Sequence, residues 1–314
     1  MSIFCHDFNE QTREDRETLQ AYFRGFDYRG AGYTYISNYI WRNTYCLSWE
    51  IIEGYLCMAG RDCMDKESAA VSCMPLTRDG NYDTERLQKA VLASRDRFEA
   101  KQVPFLMTLI PEHMKTFLDQ AFPGQIEWTP DRDDYEYVYS KDKLIRLPGR
   151  ALHKKKNHLN YFLRTFPYET KSISPACAEE ILAFTEKHKE IKEDQDRREA
   201  ESLEAEMDAI REMVSLTDRP DVYSTAIYVA GELVAFAMGE RLSPDTAVEH
   251  FEKASEEYRG LYQLVCREFC LALPEEIRFV NREEDMGLEN LRQAKEALKP
   301  DRMEKRFSAR LIEK

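Results

Sequence analysis

Alternating and helix-spaced apolar positions divide the chain into elements that occur in the same order in its two halves. In the first half they predict strands over 42–50, 55–60 and 69–75, a helix over 83–101, a strand over 103–110, a short helix to residue 121 and a strand over 126–139. In the second half, after two helices, they predict strands over 221–230, 233–241 and 246–254, a helix over 256–273, a strand over 277–281, a helix over 287–299 and a strand over 303–311. The repeated order predicts a duplicated α/β unit.

The length agrees with a duplication. The chain has 314 residues, about twice the usual domain length of roughly 100–200 residues. We therefore expect an N-terminal domain over 1–145 and a C-terminal domain over 146–314, with a basic segment over 141–171 leading into the second domain.

Charge is distributed unevenly along the chain. The net charge of −13 argues against a protein whose whole surface binds nucleic acid or anionic lipid. The segment 141–171 is the exception, because it contains nine Lys or Arg and two acids, a net charge of +7. A local site for a phosphate-bearing ligand is therefore predicted at the domain junction.

Neither a targeting segment nor a cysteine motif is recognised in the sequence. There is no signal-peptide core and no apolar run of the ~18 residues that a membrane span needs, so a cytoplasmic location is expected. The eight cysteines form no CxxC pair and lack histidines at zinc spacing, so they are predicted to be reduced thiols, and no metal site is predicted.

Three local sequences are distinctive: Leu147 to Asn160, His250-Phe251-Glu252-Lys253-Ala254, and Asn281 to Gly287 followed by Leu291-Arg292-Gln293-Ala294-Lys295 and Pro300. They resemble one bacterial family that is similar to the C-terminal domain of phosphatidylglycerol lysyltransferase. The resemblance extends to Ser37-Asn38-Tyr39 and Trp41 near the start, and so covers nearly the whole chain.

The resemblance implies two tandem Gcn5-related N-acyltransferase-like domains, with mixed α/β (α+β) sheets flanked by helices, as in the Fem-like aminoacyltransferases. It also implies an enzyme that moves an aminoacyl group from aminoacyl-tRNA, or a similar phosphate-bearing donor, to an amine or hydroxyl acceptor. No segment resembles the transmembrane portion of the lipid lysyltransferases, which argues against a lipid acceptor. Peripheral membrane contact is left open, since no residue indicates it. Oligomeric state is left open.

The basic segment contains the residues expected to contact donor phosphates. On a helix, residues 150, 153/154 and 157/158 share a face and combine cationic side chains with amide donors. The candidates are Arg150, His153, Lys154, Lys155, Lys156, Asn157 and His158. A solvated basic linker is the alternative interpretation.

The third strand of the second half contains the candidate catalytic residues. Strict alternation points His250 and Glu252 to one face and Glu249 to the other. A buried acid next to apolar side chains has a raised pKa and can act as a general base. Glu252 is the first choice for that base and His250 the second, whereas pairing of Glu252 with a neighbouring Arg or Lys is the structural alternative.

A charged loop follows the strand over 277–281 at the edge of a sheet where open α/β folds bind ligands. One Arg and three acids here could bind a substrate ammonium group; alternatively, Asp285 caps the next helix and Arg282 pairs internally. The candidate substrate-binding residues are Asn281, Arg282, Glu283, Asp285, Tyr262 and Lys295.

The predicted start of the helix over 256–273 is where this fold binds the phosphates of CoA. Acetyl-CoA users of this fold typically have a glycine-rich phosphate motif there, but this chain has Glu256 and Glu257, which would repel phosphate. No bound cofactor is therefore expected, with aminoacyl-tRNA or a nucleotide-linked molecule as co-substrate and CoA less favoured. The alternatives are a CoA-dependent N-acyltransferase and a non-catalytic ligand-binding protein on the same fold.

Overall fold

The computed structural model describes residues 2–61, 69–192 and 197–312, which form two compact units. The first unit comprises Met1–Tyr135 and Glu304–Lys314, and the second comprises Glu136–Met303. Among the described helices, none has both the length and the apolar composition needed to cross a membrane.

The first unit is built around a seven-stranded mixed sheet. Its strands are β1 (His6–Asp7), β2 (Ser48–Ile52), β3 (Tyr55–Gly60), β4 (Val71–Ser72), β5 (Met107–Pro111), β6 (Ile126–Pro130) and β14 (Arg306–Leu311). Its helices are α1 (Arg13–Arg24), α2 (Tyr35–Ile40), α3 (Thr84–Ala100) and α4 (Lys115–Ala121). A capping box between Thr12 and Asp15 starts α1, and Asp83 caps α3 through its side chain.

The second unit also contains a seven-stranded mixed sheet. Its strands are β7 (Glu136–Ser140), β8 (Glu169–Lys171), β9 (Val222–Val229), β10 (Glu232–Arg241), β11 (Thr246–Ala254), β12 (Phe279–Asn281) and β13 (Arg302–Glu304). Its helices are α5 (Lys141–Arg146), α6 (His153–Thr165), α7 (Ala178–Lys192), α8 (Arg197–Ser215), α9 (Leu261–Ala272) and α10 (Glu289–Glu296).

The strand orders of the two sheets match. The first sheet is ordered β1-β2-β3-β4-β5-β14-β6, and the second, read from its other edge, is ordered β8-β9-β10-β11-β12-β7-β13. In each sheet a strand distant in sequence lies between the last two strands of the unit: β14 between β5 and β6, and β7 between β12 and β13. The matched orders confirm the predicted duplication of one α/β unit.

Two predicted strands each divide between the sheets. The strand expected over 126–139 is β6 followed by β7, because Pro130 has no N–H to extend the ladder and a turn of 3₁₀ helix follows at Arg132–Asp134. The strand expected over 303–311 is β13 followed by β14. The predicted domain boundary after residue 145 therefore falls inside α5, and the C-terminal strand pairs in the first sheet rather than the second.

The sheet of the second unit is covered on both faces. Ala235 and Ala237 of β10 belong to the apolar cluster that includes Leu264 of α9 and Phe162 of α6. Phe236, which points the other way, packs with ring centroids 5.9 Å from Phe184 of α7. A strand between two helical layers can therefore bury side chains on either face.

The cysteines differ in part from the prediction of reduced thiols. Free thiols occur at positions 5, 57, 73, 177, 266 and 270. Cys46 is disulfide-bonded, which contradicts the prediction at that position. Cys63 lies outside the described residues.

Candidate active site

A β-bulge in β11 sets the directions of its charged side chains. Met238 of β10 pairs with Phe251, and the next residue, Gly239, pairs with Glu249, so β11 has one extra residue at this point. The extra residue is His250. A bulge interrupts the alternation of side chains between the two faces of a strand.

The bulge corrects the grouping that strict alternation predicted. His250 and Glu252 do not act together; instead Glu249 and Glu252 both contact the side chain of Arg282. His250 contacts a separate pair of carboxylates. One inserted residue therefore brings two acids to one cation.

Arg282 reaches these acids because β11 and β12 separate. The two strands pair in parallel from Thr246 to Val248, which lies opposite Asn281, the last residue of β12. Beyond this point β11 has no β12 partner, and Arg282 lies alongside it. Its Nη2 is 2.7 Å from Glu252 Oε2, and its Nε donates to Glu249 Oε2.

The three side chains form a nearly dry charged cluster. The side chains of Arg282, Glu249 and Glu252 are 14%, 2% and 13% exposed. Burial, together with the nearby Glu252, raises the pKa of Glu249 to about 8 against the lowering effect of Arg282. Burial acts to lower the pKa of Arg282. The two carboxylates outweigh the effect of burial and raise the pKa well above its usual value. Arg282 is therefore a permanent cation held by two carboxyl groups.

Lys155 of α6 and Tyr262 of α9 border the cluster. Burial and the charge of Arg282 lower the pKa of Lys155, while the charge of Glu252 opposes them, so the lysine interacts electrostatically with both. Tyr262, in the first turn of α9, is 41% exposed. Burial and the negative charge of Glu252 raise its pKa, so its hydroxyl stays protonated. The site therefore combines a carboxylate with three cationic or hydroxyl donors and extends to the surface.

Gly260 allows α6 to approach α9 at this site. Its φ is +95°, and a β-carbon there would lie 2.1 Å from the carbonyl oxygen of His158. A residue with a side chain would therefore push α6, and Lys155 with it, away from the cluster.

The other residues of the basic segment have different surroundings from Lys155. The segment is helical over α6, as the face argument required, and Leu159 and Phe162 anchor it in the core. Its exposed residues are Arg150, His153, Lys154, Lys156 and Asn157, and His158 is half-buried. Lys155 therefore interacts with the acidic cluster, and the exposed residues of the segment form a polar, basic surface beside it.

His250 lies between two acids. Its Nδ1 is 2.7 Å from Glu283 Oε1, and its Nε2 is 3.1 Å from Glu240 Oε1. Burial acts to lower its pKa, but the two carboxylates outweigh burial and raise the pKa to about 10. Because both ring nitrogens are engaged, His250 in this arrangement orients acids and has no nitrogen free to accept a substrate proton.

The loop over 281–285 is held from within. Asn281 is buried, donates through Nδ2 to Glu136 Oε2 at 2.5 Å and accepts from the N–H of Glu283 at 2.9 Å. Glu283 adopts a left-handed conformation, with φ of +57°. The tight turn directs Arg282 to one set of acids and Glu283 to His250.

Asp285 and Lys295 fix the same loop from its other end. Asp285 is fully buried and accepts from Arg292 at 2.8 and 2.9 Å and from the Tyr137 hydroxyl at 2.6 Å. Lys295 Nζ donates to the main-chain carbonyls of Arg282 and Glu284. Both residues thus bind protein groups of the loop that carries Arg282.

Sequence reasoning did not select Glu249, Glu240 or Cys266 for the site. Glu249, Glu252 and Cys266 place potential ligand atoms within 4.8 Å of one another, although no metal site was predicted. Arg282 already neutralises charge on both acids. Glu240 is ten residues before its partner His250 in a different strand, so no local spacing in the sequence could have indicated their contact.

The start of α9 corrects part of the cofactor argument. The helix begins at Leu261, after Gly260 as N-cap, and not at 256 as predicted, because the φ of Gly260 is incompatible with a continuous helix. Glu256 and Glu257 are exposed and precede it, and the first turn, Leu261–Leu264, contains no acid. Repulsion of phosphate by glutamates in the first turn is therefore not a property of this helix.

A family described as "Phosphatidylglycerol lysyltransferase, C-terminal" has a sequence model that matches residues 23–310. An uncharacterized protein of Mycoplasmoides gallisepticum is 24% identical over 204 residues, which are 62% of this chain and 65% of that protein, so the match spans less than two thirds of its length.

Solved structures share the fold over nearly the whole chain. A conserved protein of unknown function from Bacteroides thetaiotaomicron is 26% identical, with a TM-score of 0.84 over 96% of this chain and 98% of that chain. L-PGS from Bacillus licheniformis is 11% identical, with a TM-score of 0.62 over 96% and 93% of the two chains. FemX is 7% identical, with a TM-score of 0.62 over 95% and 96%.

Proposed function

The chain belongs to the family of phosphatidylglycerol lysyltransferase C-terminal domains, and from that premise we propose that it transfers an aminoacyl group from aminoacyl-tRNA to an amine or hydroxyl acceptor. The observation that carries the proposal is the convergence of Glu252, Arg282 and Lys155 beside an exposed basic surface. These groups supply a proton acceptor and two cations at one place, as acyl transfer requires.

Glu252 is proposed as the general base. Arg282 Nη2 forms an ion pair with its carboxyl group at 2.7 Å, and the Glu252 side chain is 13% exposed, so one edge remains accessible. The acceptor nitrogen or oxygen forms a bond to the ester carbonyl carbon, and its proton moves to Glu252. The ester bond to the tRNA ribose then breaks, and the same proton moves to the ribose oxygen, so the protein returns to its starting state.

Lys155 and Tyr262 are proposed to stabilise the oxygen that becomes negative as the carbonyl is attacked. An ammonium and a hydroxyl held in a partly dry site act more strongly on developing charge than they would in water. The exposed residues of the neighbouring basic surface, Arg150, His153, Lys154, Lys156 and Asn157, are proposed to contact tRNA phosphates. A nucleotide-linked donor would use the same contacts.

The test is to incubate the purified protein with a pool of charged tRNAs and cell extract and to detect an aminoacylated product by mass spectrometry. The Glu252→Gln variant should lose activity by about 10²- to 10⁴-fold, since general acid–base catalysis contributes that much. Glu257→Gln, at an exposed position, is the matched control. Full turnover by Glu252→Gln across the pH range would remove Glu252 as the base.

Thermal shifts with aminoacyl-tRNA and with acetyl-CoA separate the proposal from its two competitors. A ligand that binds the native protein raises its stability by RT ln(1 + [L]/Kd). Stabilisation by acetyl-CoA alone would favour a CoA-dependent transferase. Stabilisation by tRNA without any aminoacylated product would favour a non-catalytic binding protein.

A further inference from the structure

One flank of α6 combines a cation with an exposed aromatic ring. Lys154, His158 and Tyr161 are spaced four and three residues apart, so they share one side of the helix. Tyr161 is 39% exposed although its ring is large, and Lys154 is exposed as well. Lys155, on the same helix, interacts with the acidic cluster. The flank therefore begins next to the candidate active site.

Arg259 extends this flank from the turn before α9. Its guanidinium carbon lies 5.3 Å from the centre of the Tyr161 ring. Arg259 directly precedes Gly260, whose lack of a side chain allows the close approach to α6. Phe166 meets the Tyr161 ring edge-on, with ring centroids 6.3 Å apart. A cation and a second aromatic ring therefore hold the Tyr161 ring in place while part of it faces solvent.

The cations of this flank are not neutralised by nearby acids. Among the described residues, neither Lys154 nor Arg259 forms an ion pair, and the exposed Glu256 and Glu257 of the preceding turn pair with neither of them. The charges that act on His158 are likewise all positive. In a chain with 58 acids and 45 bases, exposed cations without an acidic partner indicate an anionic ligand.

We infer that this flank binds the unpaired 3′ end of tRNA, with a base stacked on Tyr161 and Arg259 and a phosphate contacted by Lys154. The inference rests on the proposed function and identifies the part of the donor that this flank recognises. An aromatic ring beside a cation is a stacking platform for any unpaired base. Bases inside a duplex stack on one another, so their faces are not available to it.

The position of the platform fits a short single strand that leads to the acidic cluster. Tyr161 is six residues after Lys155 on α6, which is ~9 Å along the helix axis. Stacked nucleotides advance by about 3.4 Å each, so this distance corresponds to roughly three nucleotides. An ester that reaches the cluster near Lys155 would therefore place the preceding nucleotides along this flank.

Binding of uncharged RNA tests the inference without any turnover. The probe is a short single-stranded RNA that ends in CC followed by 2-aminopurine, an adenine analogue whose fluorescence falls when it stacks. The wild type should quench the probe, and Tyr161→Leu should weaken binding by about 5- to 150-fold, the usual effect of losing one base–aromatic stack. Tyr161→Phe keeps the ring and should bind like the wild type. Tyr45→Leu, at a similarly exposed tyrosine of the first unit, should have no effect.

A second probe separates the unpaired end from general attraction to RNA. It is a hairpin whose 3′ end is base-paired, and Tyr161→Leu should leave its affinity unchanged. With the single-stranded probe, Arg259→Gln should reduce the quenching and should lower the slope of log K against log salt by about 0.7. Equal losses for both probes in Tyr161→Leu would overturn the inference, as would single-stranded binding that this variant leaves unchanged. If Tyr161→Leu does not fold, as judged by circular dichroism, the quenching by Arg259→Gln decides.

The remaining outcomes distinguish the inference from the proposed function. Coenzyme A also has an adenine next to phosphates, so binding of CoA that depends on Tyr161, in place of RNA binding, would overturn the inference. RNA binding as expected without any aminoacylated product would count against the proposed transfer and leave the inference standing. Aminoacyl transfer by Tyr161→Leu at the wild-type rate and with unchanged KM for tRNA would do the reverse.

Discussion

Lys155 and Lys156 are neighbours on α6 with different surroundings. Lys155 is half-buried, and its charge acts on Glu252, whereas Lys156 is exposed. In the sequence, Lys154, Lys155 and Lys156 are equivalent neighbours. On the helix, Lys155 faces inward and the other two are exposed. The inward lysine is the one to which the proposed function assigns a role in the chemistry.

Replacing Lys155 by Met should reduce transfer activity by about 10²-fold or more, since removal of one donor to a developing oxyanion costs that much. Met keeps most of the apolar stem that packs on the helix. Lys156→Met makes the same chemical change one residue along and should change the rate little. Equal effects of the two substitutions would contradict a special role for Lys155.

His250 is a buried cation whose contribution to stability depends on pH. Its pKa is raised from 6.5 to about 10 by Glu283 and Glu240, against the opposing effect of burial. A group whose pKa is raised in the folded state contributes its full stabilisation of the folded protein at pH values below its pKa in the unfolded state. That stabilisation is lost as the pH rises from about 6.5 through about 10.

His250→Gln should destabilise the protein by about 3–5 kcal/mol near pH 6, because two acids lose their buried partner. The difference from the wild type should shrink steadily between pH 6.5 and 10. Urea unfolding at several pH values measures it, with the exposed His153→Gln as control. A difference that does not change with pH would mean that His250 is neutral in the folded protein.

At the scale of elements, the bulge between β10 and β11 is the feature that assembles the site. Gly239 lies at the register shift, where a β-carbon would lie 1.9 Å from the main-chain oxygen of Val248 and 2.9 Å from the ring of Phe269. Neither the backbone of a central strand nor a buried ring can move easily. The close strand approach therefore requires glycine.

Gly239→Ala should lower the free energy of unfolding by about 1–3 kcal/mol, the usual cost of an overpacked core. It should also reduce activity, because any shift of Val248 moves the bulge that directs Glu249 and Glu252. Gly32→Ala, where a β-carbon meets nothing within 4 Å, should change stability by less than about 0.5 kcal/mol. Equal stability of the two variants would show that the strands can separate at no cost.

At the scale of the molecule, positive charge is concentrated in one segment of an acidic chain. Residues 141–171 have a net charge of +7, while the whole chain has −13. The exposed Lys154 and Lys156 are part of this segment. An acidic remainder repels polyanions elsewhere and so favours their approach to this surface.

The double variant Lys154→Ala/Lys156→Ala should bind tRNA more weakly, with a flatter salt dependence. Each lost contact should reduce the slope of log K against log salt by about 0.7 for single-stranded phosphates. Lys89→Ala/Lys101→Ala removes the same charge from exposed positions of the first unit and should leave the slope unchanged. Fluorescence anisotropy over a salt series measures both, and equal slopes in the two double variants would exclude a phosphate contact at α6.

Much of the fold followed from local pattern, while the site followed only in part. Periodicity located the principal helices and strands of both halves, and local motifs directed attention to Glu252, Arg282 and the basic helix. Pattern could not show that β6 and β7, or β13 and β14, enter different sheets, since only a short 3₁₀ turn separates the first pair and the single residue Lys305 separates the second. It also assigned substrate roles to Asp285 and Lys295, whose polar atoms in fact bind the loop itself.

The sequence by itself determined the duplicated order of elements, the local excess of positive charge and the family resemblance, because each of these depends on neighbouring residues. Tertiary structure decided which charges meet. One bulge residue brings Glu249 and Glu252 to Arg282, and the close approach of α6 to Gly260 brings in Lys155. Such contacts join residues far apart in the chain, and burial then sets their charge, so neither composition nor spacing contains them.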